Sequence, residues 1–414
     1  MGNTNTRQVC LLCPARIAMD PTSRLPLELV QKIFRHYLYD REIPVQSFDH
    51  SDGLWVLGQV NRAWRDATFS DPSLWSSINA SFAYGDPRRI ENIDGTRGVT
   101  LNDGVVKSLT YILAHSENVP LSLYLRFFVR SPSDKAFPAW RSFFSLLIAQ
   151  CRRFRSFDFV VPTEIWDYWT RTSPRFPLLK ELNDIFDTDW LVPVMSTRFM
   201  RHNMHADDVA PTSRIQMPQL HRLAVHTQFF LDSITAPNLK SLIMTDSPSA
   251  TTSTHAPPLV HFLHRSKCAL TDIDFSWRGT LDELFTVLSS LPMLESLSFR
   301  SDFEIAFYER MKLPSSILPM LRAFTHQLYI SVECQLWLLG RSGDVTPIID
   351  MVESRLGGGT LESVNISRVI ARDFSEDSEV QRRLAAINAL SHVKVDIHQL
   401  TVGSHFSGGP YLYW

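Results

Sequence analysis

The chain has 414 residues, 44% of them apolar and 20% charged, enough to bury a large core and well outside the range of disordered chains. Lys plus Arg number 41 against 43 Asp plus Glu, a net charge of −2, so no long-range field draws in nucleic acid or an anionic membrane. The densest apolar stretch, Phe143 to Cys151, contains Gln150 and reaches only about half the roughly 18 residues of a membrane span.

Residues 1–20 read as a mobile tail. Cys10 and Cys13 form a C-x-x-C pair, half of a tetrahedral zinc site, but no second pair or H-x-x-x-H follows at finger spacing, so no metal is expected. The five cysteines, at 10, 13, 151, 268 and 334, are too few and scattered for a disulfide framework, and no basic and then apolar leader opens the chain. A reducing compartment, cytoplasmic or nuclear, is the expectation. Gly2 with Thr6 fits the loose myristoylation pattern, and Cys10 or Cys13 would supply a second lipid. Such a lipid is the only route to a membrane.

Residues 21–80 carry the clearest punctuation. Leu25-Pro26 opens a helix and Glu28 adds first-turn negative charge. Leu29, Ile33 and Tyr37 recur at helical spacing, and Val30, Phe34 and Leu38 form a parallel stripe beside them, so apolar surface wraps beyond what one neighbour covers. After a polar loop, Leu54, Leu57, Val60, Trp64 and Thr68 predict a second helix. Asp71-Pro72 then starts a third, leading into Leu74-Trp75. Three helices in about 55 residues sit near the lower limit of a self-sufficient core, and burial by a partner commonly supplies the deficit.

The runs Leu25-Pro26-Leu27-Glu28-Leu29 with Ile33-Phe34, then Leu57-Gly58-Gln59-Val60-Asn61-Arg62-Ala63-Trp64-Arg65-Asp66, then Leu74-Trp75-Ser76-Ser77-Ile78, resemble the F-box, most closely in the F-box proteins of mushroom-forming fungi. The resemblance implies a three-helix module that docks on a Skp-type adaptor and through it on a cullin-based ubiquitin ligase. The family positions it implies are Leu25, Pro26, Leu29, Ile33, Val60, Trp64 and Trp75, to which Phe34 and Leu74 are added as adaptor-binding candidates. Asn61 stands where the family usually has cysteine, and the loop between the first two helices is longer than the family minimum.

Residues 81–104 read as a linker, and 105–414 as an irregular repeat. The pattern L-x-x-L-x-apolar recurs as Phe154-Phe157-Phe159, Leu179-Leu182, Leu220-Leu223-Val225, Leu239-Leu242-Met244, Leu270-Ile273-Phe275, Leu294-Leu297-Phe299, Leu321-Phe324 and Leu361-Val364-Ile366, at intervals of 19 to 41 residues. Its fourth and sixth positions share one face of a short strand. Helical spacing separates several units, at Val105 to His115, Trp140 to Ile148, Leu281 to Leu288 and Ile348 to Leu356. Strand and helix in alternation predict an α/β fold: a short helical module followed by a leucine-rich-repeat-like solenoid with a curved parallel sheet. The segment resembles the degenerate leucine-rich region behind the F-box in the same fungal proteins. The two longest intervals, after Leu179 and after Leu321, leave room for insertions or for missed units.

Two stretches break the pattern. Ser196 to Gln216 brings His202, His205, Asp207 and Asp208 together without metal-site spacing, and Thr245 to Pro258 reads as an exposed connection. Trp166, Tyr168 and Trp169 with Arg171 form an aromatic cluster expected to be core and rim of a repeat. Gly357-Gly358-Gly359 lacks the Lys-Ser/Thr of a phosphate loop and reads as a helix stop. No G-x-S-x-G or H-E-x-x-H is present, so no catalytic residue and no cofactor is expected. Two readings follow. One is a non-enzymatic substrate receptor, with adaptor at the helices and a protein target of unknown identity on the repeat; the other is a repeat scaffold whose first helices only cap the solenoid.

Overall fold

A computed structural model describes residues 25–39, 47–83, 100–128, 137–160, 175–184, 214–225, 228–244, 256–277, 279–301, 305–312, 317–328, 346–358, 361–370, 378–389 and 394–401. Gly2, Cys10, Cys13, the Trp166 aromatic cluster, the group from His202 to Asp208 and Gly359 lie outside these residues.

Helix α1 (Leu27–Tyr39) follows Pro26, whose carbonyl accepts from the Leu29 and Val30 N–H groups at 3.0 and 3.2 Å. The proline therefore stands at the capping position, one residue ahead of the place its spacing predicts. The predicted second helix is two: α2 (Gly53–Val60) and α3 (Arg62–Phe69). Asn61 makes the break, extended at φ −158°, with its side-chain oxygen accepting from the Trp64 N–H at 2.8 Å. An N-cap side chain competes with helix continuation, and the apolar period runs through one extended residue unchanged, which is why spacing alone joins the two helices. Asn61 thus has a capping task of its own where the resembled family carries cysteine. The predicted third helix is a single 3-10 turn, Pro72–Trp75, capped by Asp71.

A strand follows directly, β1 (Ser77–Ala83). Ser81 to Ala83, placed in a linker by the sequence, are its last residues, so the helical module runs without a spacer into the sheet. The later elements are α4 (Asp103–His115), β2 (Leu121–Phe128), α5 (Phe137–Ala149), β3 (Phe154–Val160), β4 (Glu181–Asp184), β5 (Ile215–Gln216), β6 (Arg222–Val225), α6 (Gln228–Ser233), β7 (Ile234–Thr235) and β8 (Ser241–Met244). Then come α7 (Ala256–Ser266), β9 (Asp272–Ser276), α8 (Leu281–Ser289), β10 (Ser296–Ser301), α9 (Ile305–Met311), β11 (Ala323–Leu328), α10 (Thr346–Gly357), β12 (Ser363–Ile370), α11 (Ser378–Asn388) and β13 (Lys394–Thr401).

Among the described residues, eleven strands form one sheet in chain order, with β5 and β7 paired separately, and every pairing is parallel. A single ladder crosses the sheet: Ile78, Leu123, Phe157, Leu182, Leu223, Leu242, Ile273, Leu297, Phe324, Val364 and Val395 stand in mutual register, and all eleven are buried in one core with the helices. Every residue of the eight recurring sequence motifs is buried as well. The periodicity therefore marks the core face of the strands, though it missed Ile78 and Leu123 at the start of the sheet and Val395 at its end. Strand β4 pairs directly with β6, and β11 with β12, so the two long intervals insert no further strand between their neighbours. Helix α7 starts at Ala256, so Pro257 and Pro258, placed in the exposed connection, occupy its first turn, where proline gives up no needed donor.

Polar pins hold the layers together. The buried Arg355 of α10 donates to the carbonyls of Met311, Leu318 and Ile317 at 2.9, 2.9 and 2.8 Å, fastening a loop in which Leu318 has φ 53°. Thr280 and Glu283 close a capping box at the start of α8.

Candidate functional site

The two apolar stripes of α1 separate cleanly. Val30 and Phe34 point inward, with Phe34 1% exposed and its ring edge-on to Trp64 at 5.1 Å. Leu25, Leu29, Ile33 and Tyr37 point outward, Ile33 at 52% exposure. The Tyr37 hydroxyl donates to Asp52 at 3.3 Å, which sets the last turn of α1 beside the first turn of α2. On α2, Val56 and Val60 recur four residues apart and are also exposed, Val60 at 54%. Pro26 is exposed too. Large aliphatic side chains in this number on one small module leave a burial term of roughly 25 cal/mol per Å² unused until another surface covers them.

The other predicted site residues support this face from beneath. Leu74 and Trp75 are buried by the chain itself, and Trp64 is half-buried. Phe34, Leu74 and Trp75, candidates for the adaptor contact by sequence, are covered by neighbouring side chains of the chain itself. The Trp75 indole donates to the Thr68 carbonyl at 2.9 Å and stacks on Phe69 at 5.7 Å. It also meets Tyr111 and His115 of α4 at 5.7 and 5.3 Å, joining the module to the first helix of the sheet layer. Arg35 on α1 donates twice to Asp71 Oδ2, at 3.1 and 2.6 Å, while Asp71 Oδ1 accepts from the Ser73 N–H and hydroxyl. Burial pulls the Asp71 carboxyl up, but the bonds from Ser73 and Arg35 and the Arg35 charge together outweigh it and hold the group below the ordinary carboxylate range.

Sequence reasoning missed Leu27 and Val56, both exposed and apolar. The four-residue step from Val56 to Val60 was the available signal, masked by reading 54–68 as one helix with one face. Chemically this surface can bury and be buried, and it holds no reacting group. Burial pushes the Cys151 thiol up and the Cys268 thiol to about 11, so neither is a thiolate near neutrality. Among the described residues no three His, Cys, Asp or Glu side chains gather as a metal site, and no helix is long and apolar enough to cross a membrane.

The chain matches no curated protein and no solved structure. Residues 22–81 match the family model described as F-box-like, so the three helices, the 3-10 turn and most of β1 make up an F-box-like domain leading directly into a large parallel sheet.

Proposed function

We propose that the chain is a substrate-recruiting subunit of a Skp–cullin–F-box ubiquitin ligase. The observation that carries this is the outward stripe on α1, inside the segment that matches the F-box-like family. Leu25, Pro26, Leu29 and Ile33, with Val60 on α2, form the adaptor contact. Phe34, Trp64, Leu74 and Trp75 are the scaffold that presents it. The chain transfers no ubiquitin itself: holding a protein target on the sheet domain and the ligase at the helices raises the local concentration of target lysines at the ligase's active subunits.

Ile33→Asp and Leu29→Asp test the proposal. Both sites are exposed, so stability should change by no more than about 0.5 kcal/mol, while the affinity for a Skp-type adaptor measured by calorimetry should fall at least about a hundredfold. Full adaptor affinity in both variants sinks the proposal. The capping alternative draws on the same contacts that tie Trp75 to α4, and it predicts no adaptor binding by the intact chain at all.

A further inference from the structure

The residue after the first apolar position of each strand motif stands where its strand begins. At the starts of β3, β4, β6 and β8, four neighbours in the sheet, these residues are Arg155, Lys180, His221 and Lys240. Main-chain hydrogen bonds fix them side by side. The Lys180 N–H donates to the Arg155 carbonyl at 2.8 Å, the His221 N–H to the Lys180 carbonyl and the Lys240 N–H to the His221 carbonyl, both at 2.9 Å. Arg155, Lys180 and Lys240 are exposed, and His221 is half-buried.

The same ladder runs on through Thr271 to Glu295, Arg322 and Glu362, at the starts of β10, β11 and β12. There the signs alternate. Arg322 lies 4.0 Å from Glu295 and 3.4 Å from Glu362, so the members of that half pair with one another. In the first half the fixed charges are all positive, and no ion pair among the described residues includes them. Arg222, exposed beside His221, adds a further cation, offset in part by its register partner Glu181 on β4. Like charges on neighbouring strands repel and weaken the sheet that carries them. A chain with a net charge of −2 has acids enough to alternate here as it does from Glu295 to Glu362. The repulsion turns to attraction when an anionic partner lies along the row.

The spacing describes that partner. Four strands about 4.8 Å apart make a row about 14 Å long. In extended polypeptide, side chains two residues apart share a face and stand about 7 Å from one another, so acids at i, i+2 and i+4 cover the same length. Leu178, 44% exposed and two residues before Lys180, offers an aliphatic contact beside the charges. A polypeptide side chain can use it, whereas a nucleobase stacks on aromatic rings. We propose that the row from Arg155 to Lys240 is a docking surface for an extended acidic segment of a target polypeptide, whose alternate carboxylates meet Arg155, Lys180 and Lys240. The assignment rests on the receptor reading above and names the chemistry of the segment by which a target is held.

The test uses the full chain and three fluorescent probes read by anisotropy. One is a short peptide with Glu at three alternate positions and leucine beside them, one the same peptide with Gln for Glu, and one a single-stranded oligonucleotide of equal net charge. The Glu peptide should bind most tightly and weaken as salt rises, because exposed charges are screened. Lys180→Gln together with Lys240→Gln should loosen it roughly tenfold and leave Tm equal or higher, since a repulsion is removed. Arg322→Gln together with Glu362→Gln, a charge-neutral change in the paired half, should leave it unaffected. A Glu peptide that binds no better than the Gln peptide or the oligonucleotide, or that ignores the paired lysine change, overturns the proposal; should that variant fail to fold, Arg155→Gln decides alone. Ile33→Asp should leave the Glu peptide bound. An intact chain that binds the Glu peptide but no adaptor loses the ligase role and keeps this surface, and one that binds adaptor without preferring the Glu peptide does the reverse.

Discussion

Helices α1 and α8 are built from similar side chains and end in opposite conditions. In α8, Leu284, Phe285, Val287 and Leu288 are all buried, and the positions left fully open are polar: Asp282, Thr286 and Ser289. In α1 only Val30 and Phe34 are buried, while Leu27, Leu29, Ile33, Tyr37 and Tyr39 stay exposed. One helix is complete within its own chain because strands and neighbouring helices cover its apolar arc. The other has a single covered stripe and a second left open. Within one molecule, then, apolar content does not separate core from interface; whether the arc is wider than its neighbours separates them.

The largest expected effect falls where the two regions are fastened together. Trp75 belongs to the helical module by sequence but touches α4 of the sheet layer as well as Phe69 and Trp55. Trp75→Ala should cost about 4 kcal/mol, read from chemical denaturation, and should loosen both regions in one transition. Two separate transitions in the wild-type chain would break the comparison, since α1 would then be an independent unit and not an open face on a continuous body. Next in size is Arg355→Met within the sheet layer, at about 3 kcal/mol, because three buried carbonyls lose their donor. The module should feel nothing of this, so adaptor affinity stays unchanged in the folded variant. Asn61→Ala should cost about 1 kcal/mol through the lost N-cap of α3, and it should lower adaptor affinity slightly by letting Val60 swing relative to Ile33.

Much of this was legible in the residues. The strand motifs from Phe154 to Ile366 rest on alternation, which depends only on which face meets the core, and the sheet respects it throughout. The doubled stripe of α1 likewise announced surplus apolar surface. Other features were hidden for physical reasons. The break at Asn61 is one extended residue that leaves the apolar spacing intact. Strand β1 begins just after a turn whose Asp-Pro opening looks like a helix start. Burial of Phe34, Leu74 and Trp75 could not be told from exposure, because a framework residue and a contact residue of a small module are both apolar at helical spacing. The alignment of Asn79, Tyr124, Asp158 and Asn183 across β1 to β4 was invisible, since these residues are far apart in the chain and ordinary in type; only register brings them together.

The remaining effects are pH-dependent and have opposite signs in the two regions. Asp71 in the module has a lowered carboxyl pKa in the folded chain, so its contribution to stability is present above the unfolded value of about 3.9 and fades as pH falls through the folded value. Asp158 in the sheet has a raised one, about 6, so folding opposes its charged form. Its burden sets in as pH climbs past the unfolded value and is complete above about 6. Asp71→Asn should therefore destabilise at pH 7 and less so near pH 3, while Asp158→Asn should stabilise at pH 7 and do little near pH 3. Denaturation of both variants at the two pH values measures this directly. Equal signs would mean that Arg126 and Asn183 satisfy Asp158 as fully as Arg35 and Ser73 satisfy Asp71, and the contrast between the two regions would end there.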